Sequence, residues 1–209
     1  MLDWSVDALR QVAAVQEVVI ALPADRLDAA PAGTVAVAGG AVRSESVLAA
    51  LRGSTAGADP VIVHDAARPL VTAEIFERAL VAIGPADVDA VVAAAPVADT
   101  IKQADDAGVP RDGVPHSTPR VSRTLDRRGL WAVQTPQVFR RAVLERALGE
   151  ASDELLQRAT DDAWLVEQVG GCVLVLPTTA ENFKVTTRLD LLLAELILSD
   201  RAAIEGGRR

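Results

Sequence analysis

At 209 residues the chain suits one domain, and half of its residues are hydrophobic, enough for a sizeable core. Aromatics make up only 3%, so that core must be built mostly from Val, Leu, Ala and Ile. The 21 basic and 29 acidic residues give a formal charge of −8, which argues against nonspecific binding to nucleic acid or anionic membrane but leaves room for a local phosphate pocket. The single cysteine, Cys172 in "GGCVLVLP", excludes an intramolecular disulfide and a thiolate metal cluster. Its strand-like setting predicts a buried structural thiol, which fits a reducing cytoplasm. No apolar run approaches the roughly 20 residues that span a bilayer. The start "MLDWSVDALRQV" lacks the basic leader and cleavage pattern of a signal peptide.

In chain order, Leu2, Val6, Leu9 and Val12/Ala13 form one helical stripe. "EVVIALP" reads as a short buried strand closed by Pro23, residues 24–33 as turns, and "TVAVAGG" as a second strand. "SESVLAALRG" is a helix, "VIVHDA" a third strand, and "AEIFERALVAI" a helix with Thr72 as its N-cap. "DAVVAAAPV" is a strand, and Asp105 to Gly108 suit a turn. Residues 109–128 carry three prolines, several arginines and few large apolar groups, which predicts an exposed arm. "LWAVQTPQVFRRAVLERAL" returns to strand, turn and helix; "TDDAWLVEQVGG" is a short helix and "CVLVLPT" a strand. The leucine-dense "TRLDLLLAELILSDRAA" is a long final helix expected to pack on the sheet or at a subunit contact. Strands and helices alternate, and the strands are apolar along their length. That pattern predicts an α/β domain spanning 1–209, with a mainly parallel or mixed sheet covered by helices on both faces.

Ligands of such sheets gather beyond the carboxyl ends of the strands. Three strand ends carry polar clusters: Gly39, Gly40, Arg43, Ser44 and Ser46; Asp65 and Arg68; Asp99, Thr100 and Lys102. Paired glycines permit close approach of a base or ribose, or simply make a tight turn. Asp65 either holds Mg2+ bridged to phosphate or caps a turn. Arg68 either pairs with Asp65 or meets phosphate. His64 has no partner set for zinc and reads as a hydrogen-bonded strand-end residue. Thr160 either caps the helix that follows or lines a site beside Asp161 and Asp162. Lys184 is either a phosphate ligand or a solvated surface lysine, and Trp131 reads as packing.

The ordered segments "AGGAVRSESV", "VIVHDAARPLV", "DTIK", "DRRGLWAVQTPQVF", "TDDAWLVEQVGG" and "ENFKVTTRLDLLLAE" together resemble the 2-C-methyl-D-erythritol 4-phosphate cytidylyltransferase family. The resemblance implies a Rossmann-like fold of the nucleotidyltransferase type with a projecting arm. It implies transfer of CMP from CTP to methylerythritol phosphate, with Mg2+ as cofactor and isoprenoid precursors as the destination. Carried over residue by residue, Gly39, Gly40, Ser46 and Ala66 would serve the cytidine side, and Asp65 would hold the metal. Asp65, Arg68 and Lys184 would act at the reacting centre. Thr100, Arg127, Thr135, Thr160 and Lys184 would meet methylerythritol phosphate. The arm at 109–128 would exchange contacts in a cytoplasmic homodimer, with no nucleic-acid or membrane partner.

The family also carries an earlier strand and a loop resembling A-A-G-x-G-x-R, followed by a Pro-Lys pair, that cradle the CTP phosphates. That segment would precede "MLDWSVDAL" and is not among these 209 residues. A start lying further upstream accounts for this with the remaining motifs intact; a natural fragment and a second contributing chain are the alternatives. The competing functions are a catalytically impaired homologue that binds nucleotide or a partner, and an enzyme for another phosphorylated alcohol.

Overall fold

The computed structural model describes residues 1–104 and 119–206, so the first half of the predicted arm and the predicted Asp105–Gly108 turn before it lie outside the described residues. The first half runs α1 (Leu2–Arg10), β1 (Val19–Leu22), β2 (Val35–Ala38), α2 (Arg43–Gly53), β3 (Val61–Val63), α3 (Ala73–Ala82) and β4 (Ala90–Pro96). The second half runs β5 (Lys102–Ala104), β6 (Val121–Thr124), β7 (Trp131–Phe139), α4 (Arg141–Glu150), α5 (Asp153–Arg158), α6 (Asp162–Gln168), β8 (Val173–Pro177) and α7 (Arg188–Gly206).

A four-stranded sheet in the order β3-β7-β4-β8 forms the centre. β4 and β8 are parallel, whereas β7 runs antiparallel to both β3 and β4. The sheet is therefore mixed. β4 lies between β7 and β8, and its residues Ala90 to Ala95 are all buried, which is why it reads as an unbroken run of small apolar side chains. Its alternate residues serve two cores. Ala90 and Val92 join Phe139, Leu144, Leu148, Leu165 and Val166 under α4 and α6. Val91 joins Val138, Ala79, Ile83 and Leu176 under α3. Truncating the fully buried Phe139 to alanine would cost about 3–5 kcal/mol. The predicted stripe of α1 is real: Val6 and Val12 are buried, and Ala8 and Val12 share a cluster with Val71 and Phe76.

β1 and β2 make a separate parallel pair, and β5 with β6 an exposed antiparallel ribbon. The ribbon flanks the predicted arm, and its first strand begins at Lys102, ahead of the proline-rich stretch that marks the arm in the sequence. α2 ties the β1–β2 pair to the main sheet. Leu51, Val47 and Leu48 belong to the cluster that includes Val61 and Val63. Gly53 lets the same helix lie close on the β1–β2 pair, for a Cβ there would fall 2.6 Å from Val37 Cγ1.

Two expectations are corrected. Cys172 is exposed, not buried. It precedes the edge strand β8, and its main chain is what engages: the N–H donates to Asp89 Oδ2 at 2.8 Å, and the carbonyl accepts from Asp89 and Ala90. Of the two settings expected for the long last helix, packing on the sheet does not hold, for most of its leucines are left uncovered. Its start is well capped, with Asp190 Oδ2 accepting from the N–H groups of Thr186 and Thr187, and Thr187 Oγ1 accepting from Asp190 N. Those bonds hold the Asp190 carboxyl down to about 2. Ala194 faces inward, and Arg201 donates to Leu70 O. Leu189, Leu192, Leu193 and Leu196 remain exposed, Leu189 by 72%.

Candidate active site

β3 ends at Val63, and the chain turns at once, with Arg68 N donating to Asp65 O at 2.9 Å. The turn presents Asp65 toward two cations from distant parts of the sequence. Arg43 Nε, at the start of α2, lies 3.3 Å from Asp65 Oδ1; Lys184 Nζ, in the loop after β8, lies 3.0 Å from Oδ2. Arg43 reaches further, placing Nη1 2.5 Å from Asp162 Oδ2 at the start of α6. One guanidinium thus spans two carboxylates, and Arg43, Lys184, Asp65 and Asp162 form a balanced cluster.

The electrostatics follow from burial and pairing. Burial alone would raise the Asp65 carboxyl, but Arg43 and Lys184 together hold it below the ordinary carboxylate value. Asp162, with a side chain only 1% exposed, is pushed up by burial despite Arg43. Arg43 loses hydration too, yet Asp162 and Asp65 keep it more firmly protonated than a free arginine. Asp65 is therefore a ready anion at neutral pH.

β7 fixes this end of β3. Asp65 N donates to Thr135 Oγ1 at 3.0 Å, and the same hydroxyl lies 3.0 Å from His64 Nδ1. The Thr135 hydroxyl keeps both its proton and a second lone pair for His64 Nδ1, and the His64 tautomer sets which of them is used. His64 is thus the hydrogen-bonded strand-end residue the sequence suggests, with its ring inclined at 72° to that of Phe76, 5.2 Å between centroids. Burial drives its pKa down to about 4, against the opposing pull of Asp65.

The other predicted residues fall into groups. Arg68 does not pair with Asp65; Nη1 donates to Asn182 O at 2.8 Å and Nη2 to Val133 O at 3.4 Å. Burial lowers the Arg68 pKa, with Asp65 opposing and Arg43 reinforcing that shift. Ala66 is exposed on the same turn. Gly39 and Gly40 form the tight turn entering α2. Ser46 Oγ accepts from Gly40 N at 3.1 Å, and Glu45 Oε2 accepts from Ala41 N at 2.6 Å. A Cβ on Gly40 would fall 2.3 Å from Glu45 Cβ, so the turn needs glycine for its own closure. Thr135 is buried behind Asp65, and Thr160 is exposed one residue before the α6 cap. That cap is Asp161, not Thr160: Asp161 Oδ1 accepts from Trp164 N at 2.9 Å, and Oδ2 accepts from Gln137 Nε2 at 2.8 Å. Thr100 and Arg127 stand apart from the cluster. Both are exposed near the β5–β6 ribbon, where Arg127 Nη1 donates to Ala98 O.

Sequence reasoning singled out Arg43 without giving it a role and took Asp162 for a helix-end acid. Their pairing crosses 119 residues, and no local spacing announces it. It passed over Gln134 and Asn182 altogether. The available signal was a buried-strand pattern, "AVQTPQVF", interrupted by polar amides.

An α/β sheet with charged groups collected beyond its strand ends suits a nucleotidyltransferase, and solved structures agree. The chain superposes on the 2-C-methyl-D-erythritol 4-phosphate cytidylyltransferase from Thermus thermophilus with a TM-score of 0.74 and 34% identity, covering 94% of this chain and 87% of that one. It superposes on the 4-diphosphocytidyl-2C-methyl-D-erythritol synthase from Anaerococcus prevotii with a TM-score of 0.79 and 25% identity, covering 95% and 88%. The 2-C-methyl-D-erythritol 4-phosphate cytidylyltransferase of Streptomyces avermitilis is 42% identical over 217 residues, spanning 99% of this chain and 83% of the relative. The profile of the family described as IspD, 2-C-methyl-D-erythritol 4-phosphate cytidylyltransferase, matches residues 1–200, and the chain belongs to that family.

Proposed function

We propose that the strand-end cluster around Asp65 is the reacting centre for transfer of CMP from CTP to 2-C-methyl-D-erythritol 4-phosphate. Membership of the family supports the reaction, and the ionised Asp65 between Arg43 and Lys184 is the observation that carries the site. A phosphate oxygen of methylerythritol phosphate attacks the α-phosphorus of CTP. The new P–O bond forms as the bond to the β-phosphate oxygen breaks, giving CDP-methylerythritol and diphosphate. The nucleophile is already anionic, so no protein base is required. The protein's work is alignment and charge compensation.

Asp65 fits Mg2+, which is commonly held by one or two carboxylates together with substrate phosphates. Among the described residues, no group of three or more His, Cys, Asp or Glu side chains is placed to cage a metal. That donor set suits an ion shared with a phosphate better than one held by protein alone. When bound there, Mg2+ would neutralise charge on the phosphate oxygens. Arg43 faces one Asp65 oxygen and Lys184 the other, and each oxygen keeps a further lone pair with which it would meet such an ion. Lys184, 44% exposed at its side chain, is the freer of the two and is available for the methylerythritol phosphate. Gly39, Gly40, Ser46 and Ala66 are assigned to the cytidine side.

A homodimer extends the reading. Thr100 and Arg127 are exposed beside the ribbon and, among the described residues, make no contact with the Asp65 cluster, which supports their serving a partner's site. The exposed leucines of α7, with Trp131 and Val133, offer further surface for self-association. No helix among the described residues is long and apolar enough to cross a membrane. The test is diphosphate release from CTP in the presence of Mg2+. Release that depends on methylerythritol phosphate is expected. CTP turnover indifferent to that substrate, or supported equally by other phosphorylated alcohols, would overturn the assignment.

A further inference from the structure

We infer that Gln134 and Asn182 are positioning residues that set Lys184 against Asp65. This rests on the reading of Lys184 as a group that touches substrate. The loop from Thr178 to Val185 carries the lysine, and its two ends are pinned by backbone bonds: Thr178 N to Ala94 O and Val185 N to Ala67 O, each 2.8 Å. Between those pins the loop depends on two buried amides.

Gln134 projects from β7 and is 6% exposed. Its Nε2 donates to Thr179 O at 3.0 Å, while its Oε1 accepts from Thr178 Oγ1 at 3.0 Å and from Asn182 Nδ2 at 2.9 Å. Asn182 Nδ2 also donates to Thr135 O at 2.9 Å. The amide orientations are forced. Thr179 O and Thr135 O can only accept, so each must face an NH2 group, which leaves Gln134 Oε1 to receive Asn182. Arg68 closes the loop from the other side by donating to Asn182 O. The next residue on β7, Thr135, holds the Asp65 end through its hydroxyl. One strand thus grips both partners of the Lys184–Asp65 pair, and Gln134 sets the side that bears the lysine. A misplacement of about 1 Å at a reacting centre can cost about a hundredfold in rate, so two buried amides that act only by holding the lysine's loop can govern turnover.

Two shape-conserving variants, Gln134→Met and Asn182→Leu, remove the bonds, and each is combined with Lys184→Met. Hydrogen exchange of the 178–185 amides should rise at least tenfold in both single variants while the amides of β4 stay protected. The kcat for CMP transfer should fall about 10- to 100-fold with Lys184 present, and should change less than about twofold when Lys184→Met is already in place, since a group acting through the lysine has nothing left to position. Unchanged exchange at 178–185 would overturn the inference. So would losses that multiply fully in the Lys184→Met background, because they would show these amides acting independently of the lysine. If Lys184→Met turns over like the wild type, the lysine's part in the reaction fails. The positioning inference then fails with it, even where the exchange result keeps Gln134 and Asn182 as a loop clamp.

Discussion

The strand-end cluster and the β5–β6 ribbon both carry charged side chains, but they hold them in different ways. At the cluster, Arg43 and Asp65 are largely shielded from water and Asp162 almost wholly so. On the ribbon side, the Arg128–Asp126 pair is open to solvent, with Arg128 89% exposed at its side chain. Water weakens an exposed pair and the flexible side chains resist ordering. A shielded pair cannot lose one partner without stranding the other. The comparison teaches where a charge change should be felt: in both turnover and stability at the cluster, and only through a second copy at the ribbon.

The largest effect should come from Asp65→Asn. We expect kcat to fall by about two to three orders of magnitude, with a drop in melting temperature that is small beside that loss, because Arg43 and Lys184 keep some access to water, and a shifted Mg2+ requirement. Equal rates and equal Mg2+ dependence would remove Asp65 from the reacting centre. The ribbon offers the counterpart. Arg127→Ala should also lose turnover, yet mixing it with Asp65→Asn under subunit exchange should restore about a quarter of wild-type activity, since half of the reassorted dimers carry one intact composite site. Failure to complement, with exchange verified, would return Arg127 to its own chain's site or to none.

Arg43→Met sharpens the same contrast in stability. It leaves Asp162 buried without its counterion and should cost about 2 kcal/mol, less than for a fully enclosed pair because Arg43 is one-third exposed. The double variant Arg43→Met/Asp162→Asn should regain much of that loss in urea denaturation. Next comes pH. Burial lowers His64 from 6.5 to about 4 in the folded protein. The unfolded chain therefore takes up a proton first as pH drops. His64's contribution is whole above about pH 6.5 and is lost on the way down to about pH 4. Thermal melts across that window should fall less steeply in His64→Asn. The smallest effect is expected for Arg128→Ala, whose melting temperature should match the wild type.

Most of the strands were legible because their residues are apolar on both faces, and β4 is the extreme case. The same uniformity concealed direction. Nothing in "WAVQTPQVF" announces that β7 runs antiparallel between β3 and β4. Asp65 was legible as a charged residue directly following a buried run, and Lys184 through its setting in a family-like segment. What held them was not. Arg43 meets Asp162 across the length of the domain, and Gln134 meets Asn182 inside it; contacts of that kind follow from the folded topology and leave no spacing in the chain. Cys172 misled for a related reason. Its neighbours are strand-like, but it stands just before an edge strand, where a side chain can remain in water.

That exposed thiol is the chain's only one. It sits at the start of β8, whereas the loop that bears Lys184 leaves from the other end of the strand. A dye or spin label attached through the thiol would therefore mark a single known point, with the sheet between it and the reacting groups. The untouched sequence thus supplies its own reporter for counting subunits and following their exchange.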